Sequence, residues 1–319
     1  MKLPNFFIVG APKAGTTSLY SYLDQHPRIY MSPLKETYYF SSEIRAENFL
    51  NAEARTRIER DQLALQKYLA GDMREKRFGG VVTTWDNYLK LFQSASDEIA
   101  IGEATPHYLW SPCAAHGIAA RIPHAKILIS LRNPVDRAYS NYLHMLAVGA
   151  ADGSFRQEIE ADLRRLNRRV GLEWPFLEYG QYTQQIKRYF QEFPRSQIHI
   201  SFYEELQRSP ATLVSSLYSF LGVGDFPVDV SLRHNEPVIP RLPTTTYLLR
   251  RSGLWPLLRS LAPASLRQRL QPLLRQSRAS LLMDPADRAF LTDFYREDIA
   301  RLATLLDRDL DGWLRPVDP

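Results

Sequence analysis

Phe6–Val9 is a four-residue apolar run that ends directly in Gly10-Ala-Pro-Lys-Ala-Gly15, and this junction constrains the fold more than any other stretch of the 319-residue chain. A short apolar run bounded by glycine and proline reads as a strand buried on both faces. From Thr16 to His26, Leu19, Tyr22 and Leu23 recur at helical spacing, so the loop joins a strand to a helix. Such a junction aims several backbone N–H groups and the positive end of the helix dipole at one point, which suits a phosphate-like anion. Ile99–Gly102, Lys126–Leu131 and Gln197–Phe202 are further strand candidates, alternating with helical stretches at 134–148, 155–170, 178–193 and 210–221. A last helix candidate, 285–309, carries Phe290, Phe294, Ile299, Leu302 and Leu306 toward a core. Alternating strands and helices imply an α/β fold, a doubly wound parallel sheet flanked by helices, here expected as one domain over residues 1–319.

The loop is P-loop-like but departs from the nucleoside-triphosphatase pattern. That pattern needs Gly-x-x-x-x-Gly-Lys-Ser/Thr, whereas Thr16 stands where the lysine belongs and Lys13 sits inside the loop. A nucleotide kinase of related fold is therefore disfavoured. Lys13 is placed to meet the terminal group of a smaller phosphoanhydride. Backbone at Ala14 and Gly15 and the hydroxyls of Thr16, Thr17 and Ser18 supply further donors. A second anion element follows the strand candidate Lys126–Leu131, which delivers Arg132 immediately before Asn133-Pro134, a good helix opening. Ser140 falls about two turns into that helix. Singly, these features have ordinary readings: a tight turn with an incidental lysine, a solvated strand-end arginine, a neutral helix serine. Together they describe two phosphate sites on neighbouring strands, and so a bis-phosphorylated nucleotide.

Phe6-Phe-Ile-Val-Gly-Ala-Pro-Lys-Ala-Gly-Thr-Thr-Ser-Leu-Tyr20 resembles the 5′-phosphosulfate loop of the sulfotransferase family. Ile129-Ser-Leu-Arg-Asn-Pro-Val-Asp-Arg-Ala-Tyr-Ser140 resembles that family's 3′-phosphate element. Lys35-Glu36-Thr-Tyr-Tyr-Phe40 is similar to the Lys-Glu-x-x-x-Phe region of its heparan-sulfate and Golgi-type branch, and Tyr179-Gly-Gln-Tyr182 through Tyr203-Glu-Glu-Leu206 follows the bacterial pattern. The resemblance implies transfer of a sulfuryl group from 3′-phosphoadenosine 5′-phosphosulfate to a hydroxyl or amine of a glycan, lipid or small-metabolite acceptor. It also implies Glu36 as general base and a later basic residue, Arg241, closing on the 3′-phosphate. Relatives in that branch read Glu-Lys-x-x before an aromatic, but Glu103 is followed here by Ala104, so one expected acceptor-side cation is missing or replaced.

Elementary chemistry nominates the same groups. A carboxylate beyond the first helix can take the acceptor proton, although Glu36 would otherwise read as a surface residue paired with Lys35 or Arg28. His107 is the competing base, set against its reading as a packed turn residue beside Pro106 and Tyr108. Glu204 and Glu205 precede a helix and suit its N-terminus. The histidines lack metal-ligand spacing, so no metal is expected.

Composition narrows the remaining classes. Forty basic against 35 acidic residues give a net charge of +5, modest for a nucleic-acid binder. One cysteine, Cys113, excludes an internal disulfide framework and fits a reducing cytoplasm. The apolar run Phe6–Val9 is too short for a signal h-region or a membrane span and carries no cleavage pattern, so no secretion or anchoring signal is expected. Residues 237–283 contain eight arginines and no acidic residue, and read as a basic helical lid over the acceptor cleft. Trp255 with neighbouring leucines and arginines also suits an anionic bilayer, which would place the protein at the inner membrane face. A non-catalytic basic module for membranes or polyanions is the third function class, but it would not need two separate phosphate elements.

Overall fold

The computed structural model describes residues 2–44, 52–148, 150–151, 153–164, 176–231, 239–240, 252, 275–276 and 282–315. They fall into two units, Met1–Arg132 with Asn167–His234, and Asn133–Leu166 with Asn235–Pro319.

The first unit is built on a five-stranded parallel sheet. Its strands are β1 (Phe6–Gly10), β2 (Ile29–Met31), β5 (Ala100–Ala104), β6 (Lys126–Leu131) and β7 (Ile198–Phe202), in spatial order β2-β5-β1-β6-β7. β1 is buried along its whole length, as its unbroken apolar run requires in an interior parallel strand. Its neighbours, β5 and β6, both come later in the chain, so the connections diverge at the carboxyl end of β1. In open α/β sheets that point is where ligands bind. Two short strands, β3 (Leu34–Lys35) and β4 (Arg77–Phe78), form a separate parallel pair.

Helices α1 (Thr16–Leu23) and α9 (Pro210–Leu221) cover one face. Leu19, Tyr20 and Leu23 of α1 and Leu213, Val214 and Leu217 of α9 join Phe6, Ile8 and Leu128 in one core. Successive strand residues alternate faces, so Phe7 points the other way and packs edge-on against Phe40. Phe40 also meets Tyr88, on α3 (Trp85–Lys90), and Tyr108, in the 3-10 turn Pro106–Leu109. Also in this unit are α2 (Ala52–Leu69), the mutually packed α4 (Ala114–Arg121) and α7 (Tyr182–Glu192), and α8 (Tyr203–Arg208).

In the second unit, α5 (Pro134–Val148) packs against α6 (Phe155–Leu163) and α10 (Pro285–Leu306). Asn133 Oδ1 accepts the Val135 N–H at 2.9 Å, closing the start of α5. Arg156 pairs with Asp287 at 2.6 Å and Arg288 with Asp136 at 2.7 Å. Buried Arg137 on α5 is bonded to the Tyr295 hydroxyl of α10.

The expected strands are all present, with β5 running Ala100–Ala104 rather than Ile99–Gly102 and β7 starting at Ile198 rather than Gln197, which lies in a 3-10 turn, and the helix expected over 16–26 ends at Leu23. Helix 210–221 is found as expected, 178–193 resolves into a 3-10 turn and α7, and the last helix ends at Leu306, where Asp307 turns left-handed. α6 ends at Leu163, and 165–170 lie outside the described residues.

Candidate active site

The glycine loop leaves β1 and is tied to β6. Ala11 N–H donates to the Ser130 carbonyl at 2.6 Å, and Ser130 Oγ donates to the Ala14 carbonyl at 2.6 Å. Both bounding glycines are needed for close approach. A Cβ on Gly10 would meet Leu109 and lie 2.9 Å from the Pro106 carbonyl oxygen. A Cβ on Gly15 would run into Leu206 and come 3.0 Å from the Tyr203 ring, at φ 83°. Lys13 also holds a left-handed backbone, φ 69°. The helix that follows has no side-chain N-cap and no acidic residue in its first turn. Its N–H groups and dipole are left for an anion, so the cradle fits the phosphosulfate end of the implied donor. Thr16 is buried, while Lys13, Thr17 and Ser18 are half-buried at the loop surface.

Arg132 sits where β6 ends. Its Nη1 donates to the Lys13 carbonyl at 3.0 Å, its guanidinium lies 4.4 Å from the Tyr203 ring centre, and its own carbonyl accepts the Tyr182 hydroxyl at 2.8 Å. Loop and arginine are therefore directly joined, and the Tyr203–Leu206 segment backs both. Glu205 Oε2 accepts the Phe202 N–H at 2.9 Å, the helix-end role expected of it. Ser140 is buried in the second turn of α5, within the second unit. Arg241 and most of 237–283 lie outside the described residues.

Glu36 follows β3 with φ 67°. Lys35 Nζ donates to its Oε1 at 2.7 Å and the Tyr38 hydroxyl to its Oε2 at 3.1 Å. The pairing with Lys35 was anticipated, but not its setting. Lys35 is 1% exposed and Glu36 33%, so the cation is buried while the carboxylate reaches the surface of the site. Burial pushes the Glu36 carboxyl up. The charge and hydrogen bond of Lys35, the Tyr38 hydroxyl and the charge of Lys13 outweigh it, leaving the carboxyl below its usual range. Lys13 and Glu36 thus act on each other across the carboxyl edge of the sheet.

His107 is buried in the 3-10 turn after β5. Its Nδ1 is 2.8 Å from the Tyr179 hydroxyl and its Nε2 is 3.6 Å from Glu43 Oε1. Rings of Tyr38, Trp110 and Tyr179 surround it. Burial lowers its pKa, against the opposing pull of Glu43 and Glu36. Behind both groups lies Glu103, fully buried, whose carboxyl is raised by burial despite four hydroxyl partners, Thr105, Tyr88, Thr37 and Tyr108. Glu43 and Tyr88 had no sequence signal; Thr37, Tyr38, Tyr179 and Glu103 stood out only as motif positions, with no sign of the partners the fold gives them. Among the described residues, no group of three His, Cys, Asp or Glu side chains is placed to hold a metal ion.

Comparison with known proteins extends the geometry. Residues 4–227 match the model of the sulfotransferase family. The chain is 28% identical over 324 residues to the human bifunctional heparan sulfate N-deacetylase/N-sulfotransferase 2, an alignment covering 98% of this chain and 31% of that protein. Human N-deacetylase/N-sulfotransferase 3 gives 28% over 327 residues with the same coverage, so this chain spans under a third of these relatives. The crystal structure of a sulfotransferase from Alicyclobacillus acidocaldarius is 31% identical, with a TM-score of 0.69 over 99% of this chain and 100% of that one. A match of this extent, on a loop shaped for an anion and lacking the lysine of nucleotide hydrolysis, makes the chain a member of the sulfotransferase family, enzymes that transfer a sulfuryl group.

Proposed function

We propose that this enzyme moves the sulfuryl group of 3′-phosphoadenosine 5′-phosphosulfate onto a hydroxyl or amine of a glycan. The observation that carries the proposal is the run of charge formed by Lys13, Glu36 and Lys35, a cation on the anion loop near enough for its charge to bear on a carboxylate held by a second, buried cation. The names of the heparan sulfate relatives support a glycan acceptor.

The roles we propose rest on the loop geometry for the 5′ end and on the sequence motifs for the 3′ end. Loop amides and the open end of α1 hold the 5′-phosphosulfate, and Arg132, Ser140 and Arg241 serve the 3′-phosphate. As the bond from sulfur to the bridging oxygen breaks, its electron pair stays on the phosphate, where the Lys13 ammonium balances it. A preorganised donor of this kind is worth about 2.7–4 kcal/mol. The acceptor oxygen or nitrogen forms the new bond to sulfur and passes its proton to Glu36. That proton becomes acidic only as the new bond forms, so a weakly basic carboxylate that is ionised at neutral pH suffices. His107, with Tyr179 and Glu43 at its two nitrogens, is assigned to shaping the acceptor side.

Acceptor labelling and three variants test this. Label from the sulfuryl donor should appear on de-N-sulfated heparan sulfate; absence of label from this and from glycolipid and phenol acceptors, with no binding of 3′,5′-bisphosphate, would overturn the proposal. Lys13→Ala should lower kcat on the order of 100- to 1000-fold. Glu36→Gln should lower kcat with bisphosphate binding unchanged, and His107→Ala should cost less. A dead His107→Ala beside an active Glu36→Gln would reverse the assignment of the base.

A further inference from the structure

Glu103 is a fully buried carboxylate that touches no other charged side chain among the described residues. Its Oε1 accepts the hydroxyls of Thr37 at 2.8 Å and Thr105 at 2.5 Å; its Oε2 accepts those of Tyr88 at 2.7 Å and Tyr108 at 3.4 Å. A buried carboxyl without a cation is costly, and hydroxyls alone repay it only when the network is complete. Four segments supply them: the loop after β3, the helix α3, the end of β5 and the turn that follows.

The network grips the stretch that carries Glu36. Thr37 N–H donates to Thr105 Oγ1 at 3.0 Å, Tyr39 N–H to Thr37 Oγ1 at 3.3 Å, and Phe40 N–H to the Tyr108 hydroxyl at 3.3 Å. Glu36 N–H donates to the carbonyl of Ala104, the residue after Glu103, at 2.8 Å. Glu36 and Tyr38, on either side of Thr37, both have left-handed backbones, φ 67° and 52°, which non-glycine residues hold only when their surroundings enforce it. Thr37 points into the Glu103 cluster, while Tyr38 turns its hydroxyl onto Glu36 at 3.1 Å.

We infer that Glu103 is a positioning residue for the reaction: its hydroxyl cluster anchors Thr37 from behind the sheet edge and so holds Glu36 in its left-handed conformation against the Lys13 loop. The inference rests on Glu36 being the base. Glu103 itself does not meet the reacting atoms; it acts only through the Thr37 anchor.

The test is a double-mutant cycle on labelled sulfuryl transfer to de-N-sulfated heparan sulfate, with release of inorganic sulfate from the donor measured in parallel. Glu103→Gln keeps the volume but cannot accept four hydroxyls. It should lower kcat on the order of 10- to 100-fold, the cost of a small displacement at the reacting centre, with bisphosphate affinity and acceptor KM near wild type. In the Glu36→Gln background the same change should cost nothing further. Additive losses, or a loss confined to KM, would overturn the positioning role while leaving the base intact. Wild-type turnover in Glu36→Gln alone would instead remove the base on which the inference rests. Should Glu103→Gln fail to fold, Thr37→Val and Thr37→Ser decide the matter: the valine removes the anchoring hydroxyl, the serine restores it. Hydrogen exchange at Thr37, Tyr39 and Phe40 should rise at least tenfold in Thr37→Val and return in Thr37→Ser. Equal exchange in both variants would sink the inference.

Discussion

Lys35 is buried, and its charge is answered by the carboxylate next to it in sequence. That pairing sets the acid side of the chemistry. An unperturbed glutamate titrates near about 4.3, and Lys35, Tyr38 and Lys13 hold Glu36 below its usual range. The ionised form therefore persists as pH falls, so the acid limb of the kcat profile should lie below the ordinary carboxylate value. Lys35→Met removes the cation while filling the space. The Glu36 pKa should then rise and the acid limb move to higher pH; an unmoved limb would show that Glu36 does not control it. Stability follows the same sign. The depressed carboxyl contributes stability above its unfolded pKa, and that contribution is lost as pH falls through the lower folded value. Glu103 acts in the opposite sense, because burial raises its carboxyl: its proton stabilises the fold at low pH, and this is lost as pH rises through the folded value.

At the scale of elements, the anion loop depends on a backbone that only glycine accepts at position 15. Gly15→Ala meets a left-handed penalty of about 1–2 kcal/mol and collides with Leu206 and Tyr203. It should lower the unfolding midpoint and abolish bisphosphate binding, while an alanine that binds bisphosphate normally would show the loop to be more pliant than its packing implies. This loop was legible in the sequence because strand, glycines, lysine and helix are contiguous. β1, β6 and β7 were legible for a related reason, being apolar runs long enough to stand out. β2 has three residues and β3 and β4 two each, too few for any period to register. α3, with six residues, is shorter than two turns, and α2 is too polar along its length to show a strong apolar face. The Glu103 cluster was hidden for another reason. Thr37, Tyr88, Thr105 and Tyr108 are spread over 72 positions, and only the sheet brings them to one carboxyl.

At the scale of the molecule, no helix among the described residues is long and apolar enough to cross a membrane. The eight arginines of 237–283 still define a test. If that segment is an interfacial surface, the protein should sediment with anionic vesicles at low salt and be released at high salt, each arginine near the surface adding about 1 kcal/mol. A protein that stays in the supernatant with anionic vesicles at low salt would leave the segment as a lid over the acceptor. The first helix has a consequence for throughput. Because α1 carries no side-chain cap of its own, the donor proposed above would complete it, and so would the 5′-phosphate of the spent bisphosphate. The purified protein should then carry bisphosphate and show a burst followed by a slower steady state, limited by product departure. A phosphatase that strips the 3′-phosphate from free product would leave that departure rate unchanged but stop the product from rebinding, so in a cell the share of enzyme open to fresh donor would depend on how quickly the spent donor is cleared.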